Sequence, residues 1–502
     1  MRSHPVTFGY AAEDVLAAVR TELDGGGAPD RLLRKAAAGI AAVVAAELRR
    51  RTGRVYGRCV ALLVGSGNNG ADALLAGVAL RRQGVGVDAV LVGDQVYEPG
   101  RRRLTAKGGR VHPATADLSS LRPILGGADL VVDGIVGERG SPGLQGRAAQ
   151  LVALMSDNVP VVAIDLPSGI DPNTGELPGV HVRAEITISC AAHKPGVLLP
   201  PAAHTAVGRL RYVDVGLAPL PTEPVVRRLD VRDIAARWPV PARTAHKYSR
   251  GVLGVVAGSD TYPGAAVLAC LGAVAAAAGI VRFIGPPGVT NHVLARVPES
   301  VPAAGRVQAW LLGSGVIDDP GQEAAIDEAL SSGQPCVVDA GALDDCTRRR
   351  LAGDRRAPAD RILLTPHAGE LSRLLDIVGA PAAREDVEAR PLHHGRVLAQ
   401  AIDATVLVKG PTTIVVPPNG QVASQAEAPA WLATAGAGDV LAGVAGALMS
   451  AGLSALDAGE ISAFIHGRAA ARAHRYRGHG PLTATSVAEH LPAAIGEVLR
   501  SS

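Results

Sequence analysis

Short apolar, β-branched runs alternate with longer Ala- and Leu-rich stretches along the whole chain. In the first half, residues 59–64, 87–92, 130–132, 161–164 and 186–189 read as strands, with helical patterns such as 72–83 and 146–155 between them. In the second half, residues 252–257, 280–284, 309–312, 336–339, 362–365, 405–409 and 413–416 read as strands. Residues 439–451 give the clearest late helix. Nearly continuous apolar strands separated by helices predict parallel sheets covered on both faces, an α/β fold in each half. The uncharged window 264–281 reaches the length of a membrane span. It is mostly Ala and Gly, with Gly272 and Gly279 inside, and this predicts a buried helix followed by a strand.

At 502 residues the chain exceeds one ordinary core, so two domains are expected. Pro219, Pro221 and Pro224 in LAPLPTEPVV suit a semi-rigid connector. The expected division is residues 1–218, a linker at 219–226, and residues 227–502. No internal repeat relates the halves. Apolar residues are 47%, charged residues 19% and the formal charge is +3, which leaves no basic footprint for nucleic acid. Arg101, Arg102 and Arg103 read as a solvated face. Five scattered cysteines without a C-x-x-C pair, and an N-terminus without an apolar leader, fit a reduced cytoplasmic protein with no disulfide framework, zinc site or membrane anchor.

The segment VALLVGSGNNGAD places Gly65, Gly67 and Gly70 between a strand and a helix. Alone, this spacing is the dinucleotide fingerprint, and Asp94 stands about where a ribose-binding acid would. A dehydrogenase is therefore one reading. Asn68, Asn69 and Asp72 point elsewhere, to a loop whose amides hold ligand hydroxyls or a cation; turn and capping chemistry is the plainer alternative. Asp133 in VVDGIVGERG and Asp165 with Ser168 in VVAIDLPSGIDPNTG stand at further strand ends. Ligands of open α/β sheets bind there, so three strand ends form one oxygen-rich pocket.

These strings, with HKPG at His193, Lys194, Pro195 and Gly196, resemble the NAD(P)H-hydrate epimerase family over about residues 32–216. The resemblance implies a Rossmann-like three-layer αβα domain. It implies substrate contacts at Asn68, Asn69, Gly70, Ala71, Asp72, Gly137, Glu138, Arg139, Gly140, Ser141, Pro142, Gly143 and Asp165. It implies a potassium ion on Asn69, Asp133 and Ser168, and Asp165 as the acid/base that inverts carbon 6 of a hydrated nicotinamide. Ala71 and Ala73 stand where the family usually has glycines. Ile135-Val136-Gly137-Glu138 replaces a Phe-Gly-Thr-Gly type of turn, and Leu33-Arg34-Lys35 an early Leu-Met-Glu.

In the second half, ATAGAGDVLAG puts Gly436, Ala437, Gly438 and Asp439 at the start of a helix. N–H groups there form an anion hole for a transferring phosphoryl group, and Asp439 can take a proton from an attacking hydroxyl. A Gly-rich N-cap is the plain alternative. No G-x-x-x-x-G-K-[ST] string is present, so a P-loop is not supported. His367, Gly369 and Glu370 in LLTPHAGELSRLL, Lys409 in VLVKGPTTIV and Asp339 in CVVDAGAL stand at more strand ends. Gly258, Gly264 and the stretch of Gly313, Ser314 and Gly315 add glycine-rich turns.

Together these segments resemble the ADP-dependent NAD(P)H-hydrate dehydratase family, within the ribokinase-like superfamily, over about residues 240–491. The resemblance implies that Lys409, Gly410, Pro411, Thr412, Thr413 and Gly438 hold the adenine nucleotide. It implies that Ala266, Gly315, His367 and Asp439 contact the hydrated nicotinamide nucleotide. Phosphorylation of the carbon-6 hydroxyl by ADP, with Asp439 as base, would give AMP and a phosphate that then leaves; Mg²⁺ would bridge the ADP phosphates. Ser314 departs from the usual Gly-Pro-Gly, and Thr290-Asn291-His292 from a second Asn. The joint expectation is repair of NADHX and NADPHX by epimerisation and dehydration in a homo-oligomer. The alternatives are a ribokinase-like vitamin kinase with a degenerate N-terminal binding module, and a dehydrogenase.

Overall fold

The computed structural model describes residues 7–24, 30–137 and 142–501. The chain divides into two compact units, Phe8–Val226 and Arg227–Ser502. Each carries the predicted parallel α/β architecture.

In the first unit a seven-stranded parallel sheet runs in the order Arg110–His112, Gly86–Leu91, Cys59–Val64, Leu130–Gly134, Val161–Ile164, Ile186–Cys190, Arg209–Val213. The central strand shows why. Val60, Leu62 and Val64 enter one core with Ile40, Val44 and Leu48 of the helix Asp30–Thr52 and with Leu74 of Asn68–Arg82. Ala61 and Leu63 enter the opposite core with Leu121 of Leu118–Gly126 and Leu151 of Gly146–Leu154. The period-two pleat thus buries both faces, at about 2 kcal/mol for each fully buried leucine. Chain direction across the sheet reverses between Cys59–Val64 and Leu130–Gly134, which opens a crevice at their C-terminal ends.

In the second unit parallel strands run in the order Ser300–Val301, Ile280–Ile284, Val252–Val256, Ala309–Leu312, Cys336–Val338, Ile362–Leu364, Thr405–Val408. Thr413–Val416 and Val422–Gln425 continue the sheet antiparallel. Its reversal lies between Val252–Val256 and Ala309–Leu312. The helix Ala437–Ser450 packs against Pro263–Ala275 at backbone distance: a Cβ on Gly443 would lie 2.2 Å from the Ala269 carbonyl oxygen. The window 264–281 is this helix Pro263–Ala275 and the start of Ile280–Ile284. No helix among the described residues is long and apolar enough to cross a membrane.

Several boundaries differ from the sequence pattern. Four strands of the second unit stop one residue early, at Val256, Val338, Leu364 and Val408. Asp339, Thr365 and Lys409 therefore stand just off the sheet, where side chains leave the pleat and turn toward one another. Val226–Arg228 begins as a strand at the last residue of the expected linker. The short strands Arg110–His112, Arg209–Val213 and Ser300–Val301 were not legible, because edge strands are brief and polar.

Candidate active sites

At the first reversal, the strand Cys59–Val64 hands over to Gly65, where a Cβ would sit 1.8 Å from the Ile135 carbonyl oxygen. Only glycine lets the two strand exits cross this closely. The helix then begins at Asn68, four residues before the predicted start. Asn68, Asn69, Gly70, Ala71 and Asp72 thus form a first turn rather than a loop. The cap residue is Gly67, without a side-chain cap bond, so neither asparagine caps this helix. The Asn69 amide bonds across instead: Nδ2 donates to the Ile164 carbonyl (2.8 Å) and the Val136 carbonyl (3.3 Å). Ala73 is fully buried, with its methyl toward Gly134, where a Cβ would lie 2.8 Å from it. That departure from the family pattern fills the core beneath the site.

Asp133 and Asp165 are not helix caps. Asp133 is fully buried and accepts from Ser168 N–H (2.8 Å), Ser168 Oγ (2.7 Å) and Ile135 N–H (3.2 Å). Burial outweighs these bonds and pushes its carboxyl up to about 6. Asp165, one residue past Val161–Ile164, is held at φ 69°, with its N–H donated to the Ile188 carbonyl (2.7 Å). A left-handed aspartate costs about 1–3 kcal/mol and persists where surroundings enforce it. Its Oδ1 receives Lys194 Nζ at 2.5 Å, with both side chains buried. Burial, then the charges of Asp72 and Asp165, raise the Cys190 thiol well above its ordinary value, and Lys194 opposes them; these four groups are neighbours.

Gly137 lies against Asn69, since a Cβ there would be 2.9 Å from Asn69 Oδ1. Gly143, next to Pro142, donates its N–H to the Gly169 carbonyl beside Ser168 (2.8 Å). Glu138, Arg139, Gly140 and Ser141 lie outside the described residues. Asp94 is exposed, and Arg101 and Arg102 pair with Glu98 on one helix face. Lys194 is the residue that sequence reasoning missed. Its segment was noticed as HKPG, but nothing in spacing says that an ammonium 29 positions away meets Asp165.

At the second reversal, Gly258 donates its N–H to the Ser314 carbonyl (2.7 Å), joining two strand exits. A Cβ on Gly315 would lie 2.5 Å from that of Ala265, which places Gly315 beside the Ala266 turn of its helix. Gly436 adopts φ 84° as N-cap of Ala437–Ser450, and the start of that helix lies beside Lys409, since a Cβ on Gly438 would be 3.4 Å from Lys409 Nζ. Lys409 Nζ stands 3.0 Å from Asp339 Oδ1 and 3.5 Å from Glu370 Oε2. Burial works against that ammonium, but Asp339 and Glu370 more than offset it and its pKa is raised. Asp439 is pushed up to about 7, first by burial and then by Asp339, against the pull of Lys409. Thr412 Oγ1 is buried without a hydrogen-bond partner among the described residues, and Thr413 Oγ1 donates to the Gly410 carbonyl (3.3 Å).

His367 caps the helix Ala368–Ile377: its Nδ1 accepts from Gly369 N–H (3.1 Å) and Glu370 N–H (3.2 Å), while Glu370 accepts from His367 N–H. Its Nε2 stands 3.6 Å from Glu370 Oε1. The structure therefore gathers Gly315, His367, Lys409, Gly438 and Asp439 at neighbouring exits. A cavity of 340 Å³ lined by Pro239, His246, Arg250 and Ala451 lies at the opposite end of Ala437–Ser450.

Residues 253–493 match the family model described as NAD(P)H-hydrate dehydratase, and residues 29–196 match that described as YjeF-related protein N-terminus. The chain is 42% identical over 474 residues to the bifunctional NAD(P)H-hydrate repair enzyme Nnr of Mycobacterium leprae, covering 92% of this chain and 94% of that one. It is 42% identical over 454 residues to the Nnr of Mycobacterium tuberculosis, covering 88% and 89%. Among solved structures, it is similar to the ADP/ATP-dependent NAD(P)H-hydrate dehydratase of Bacillus subtilis co-crystallised with ATP and Mg²⁺, at 24% identity and TM-score 0.47, over 54% of this chain and 97% of that one.

Proposed function

The chain belongs to the bifunctional NAD(P)H-hydrate repair enzyme family, and from that premise we propose how its halves divide the repair. Residues 1–218 epimerise hydrated NADH and NADPH at carbon 6. Residues 227–502 dehydrate the S epimer with ADP, and the proline-rich stretch 219–226 connects them. The observation that carries the reading is Asp439, a carboxyl held up to about 7 at the N-terminus of a helix.

In the second unit, Lys409, Gly410, Pro411, Thr412, Thr413 and Gly438 hold the nucleotide, with Thr412 Oγ1 as an uncommitted hydroxyl. Ala266, Gly315 and His367 hold the hydrated nicotinamide. Asp439 takes the proton as the carbon-6 oxygen attacks the terminal phosphorus of ADP, and AMP departs. N–H groups at the start of Ala437–Ser450 face the charge that develops. The C–O bond to phosphate then breaks, a proton leaves the adjacent ring carbon, and the double bond returns. Phosphate is a far better leaving group than hydroxide. Mg²⁺ would travel with the nucleotide phosphates; three carboxylates against one ammonium leave the site an excess of negative charge.

In the first unit, Asn68, Asn69, Gly70, Ala71 and Asp72 bind substrate, with Gly137, Glu138, Arg139, Gly140, Ser141, Pro142 and Gly143 on the facing loop. Asp165 serves as the acid/base for inversion at carbon 6. Potassium suits Asn69, Asp133 and Ser168: the donors are oxygens, and no cationic side chain among the described residues accounts for the Asp133 charge. Bound there, it would offset that charge. Assembly as a homo-oligomer and residence in the cytoplasm complete the proposal.

Absorbance recovery at the NADH band from a mixture of NADHX epimers tests the reading. Full recovery with ADP is expected. Recovery of half would leave the dehydratase and remove the epimerase. No recovery with ADP or ATP would overturn the assignment. The small-molecule kinase reading is not favoured, since the relatives matched along nearly the whole chain are repair enzymes.

A further inference from the structure

The charges around Asp439 are more elaborate than a lone base requires. Asp339, buried one residue past Cys336–Val338, has every oxygen engaged. Its Oδ1 accepts from Thr365 Oγ1 (2.8 Å) and Lys409 Nζ (3.0 Å), and its Oδ2 accepts from Ser314 Oγ (2.9 Å). The Ser314 side chain also lies close enough to the Asp439 carboxyl to favour its ionised form. One hydroxyl, with one proton, therefore stands between two carboxylates. Lys409 lies against the start of the catalytic helix, where a Cβ on Gly438 would be 3.4 Å from Nζ. Glu370 faces the same ammonium at 3.5 Å, and His367 Nε2 stands 3.6 Å from Glu370.

We propose that Asp339 is a positioning residue for dehydration: it holds Ser314 beside the Asp439 carboxylate, and by occupying Lys409 it keeps that carboxylate a strong base. The inference rests on Asp439 being the base. An ammonium facing Asp439 alone would stabilise its ionised form and weaken it as a proton acceptor. Asp339 and Glu370 share that positive charge, and Asp339 adds its own negative charge. Burial and Asp339 together raise Asp439 to about 7, into the range where a carboxylate can accept a proton at neutral pH. Asp339 touches neither nucleotide nor hydrated ring in this scheme. The groups facing Asp439 come from four elements: Ser314, Asp339, Glu370 and Lys409.

The test is the pH profile of kcat/KM for ADP-dependent dehydration, in the full chain, for Asp339→Asn and Ser314→Ala. Asp339→Asn should move the acid limb down by about one pH unit, since a like charge is removed. It should lower kcat roughly tenfold, with KM for ADP within about twofold, since basicity and aim are lost but not binding. Ser314→Ala should move the limb up, because a polar group that favours the ionised form of Asp439 is lost. General damage to packing would not displace the two profiles in opposite directions. Limbs that stay in place, or move together, would overturn the proposal. If Asp339→Asn does not fold, the direction for Ser314→Ala decides it. Asp439→Asn separates the two readings: inactivity there with unmoved limbs defeats only the role of Asp339, while retained activity defeats the base itself.

Discussion

Asp133 and Asp339 occupy corresponding places in the two units, buried carboxylates at the C-terminal ends of central strands, yet their charges are met differently. Among the described residues Asp133 receives only neutral donors, from Ser168 and Ile135, and its carboxyl is driven up to about 6. Asp339 receives two hydroxyls and the Lys409 ammonium, and it is the neighbouring Asp439 whose carboxyl is pushed up, to about 7. The difference teaches where each unit turns for charge. A buried carboxylate without a cation invites one from solution. A buried carboxylate with an internal cation withdraws that cation from the group beside it.

The sharpest way to break this comparison is to remove one acid/base at a time. Asp439→Asn should reduce dehydration by about 10²- to 10⁴-fold while epimerisation persists. Asp165→Asn should do the reverse, visible as half of an epimeric mixture being consumed with the other half left over. A protein in which either change abolished both reactions would not have two independent sites.

Next in size is the ion. Replacing potassium by tetramethylammonium should slow epimerisation by roughly tenfold or more, since the buried Asp133 charge loses its counter-charge. Dehydration, measured in the same samples on the S epimer, should not change. An equal loss in both reactions would remove the contrast drawn between Asp133 and Asp339.

The pH dependence should also separate the units. Asp439 must be unprotonated to accept a proton, so dehydration should fall as pH drops through about 7. Stability carries the opposite sign. A carboxyl raised on folding binds more protons in the native state, so its contribution declines as pH rises from the ordinary aspartate range to about 7. Melting curves of Asp439→Asn should lack that slope.

The smallest expected effect concerns Ala73. Ala73→Gly should cost about 1 kcal/mol of stability through helix propensity, seen in a thermal melt. Epimerisation should be unaltered, because the methyl faces Gly134 and the core. A faster epimerase in this variant would show that the alanine shapes the pocket after all.

Much of this was legible before any coordinates. The strand Cys59–Val64 announced itself because six apolar residues in a row suit a strand buried on both faces. Asp133, Asp165, Asp339 and Lys409 were visible as polar residues ending such runs, and Asp439 as the acid after a Gly-rich turn that opens a helix. Less legible were the places where a local rule yielded. Asn68 and Asn69 look like loop residues, but their helix starts at Asn68 because Asn69 finds its partners on neighbouring strands. His367 looked like a substrate contact and also serves as a helix cap. Ser314 stood out only as a departure from a glycine-rich turn, although its hydroxyl links two carboxylates.

The amino-acid sequence by itself determined the alternation that builds two parallel sheets, the glycines that let strand exits cross, and the kinds of groups delivered to each crevice. These follow from local periodicity and from what each side chain can do. Only the tertiary structure decided who meets whom: Lys194 with Asp165, and Lys409 with Asp339 rather than with Asp439 alone. Those pairings join residues 29 and 70 positions apart, through strand order that no local pattern encodes. Burial and pairing together set which carboxyl holds a proton, because the cost of a charge depends on what surrounds it in three dimensions.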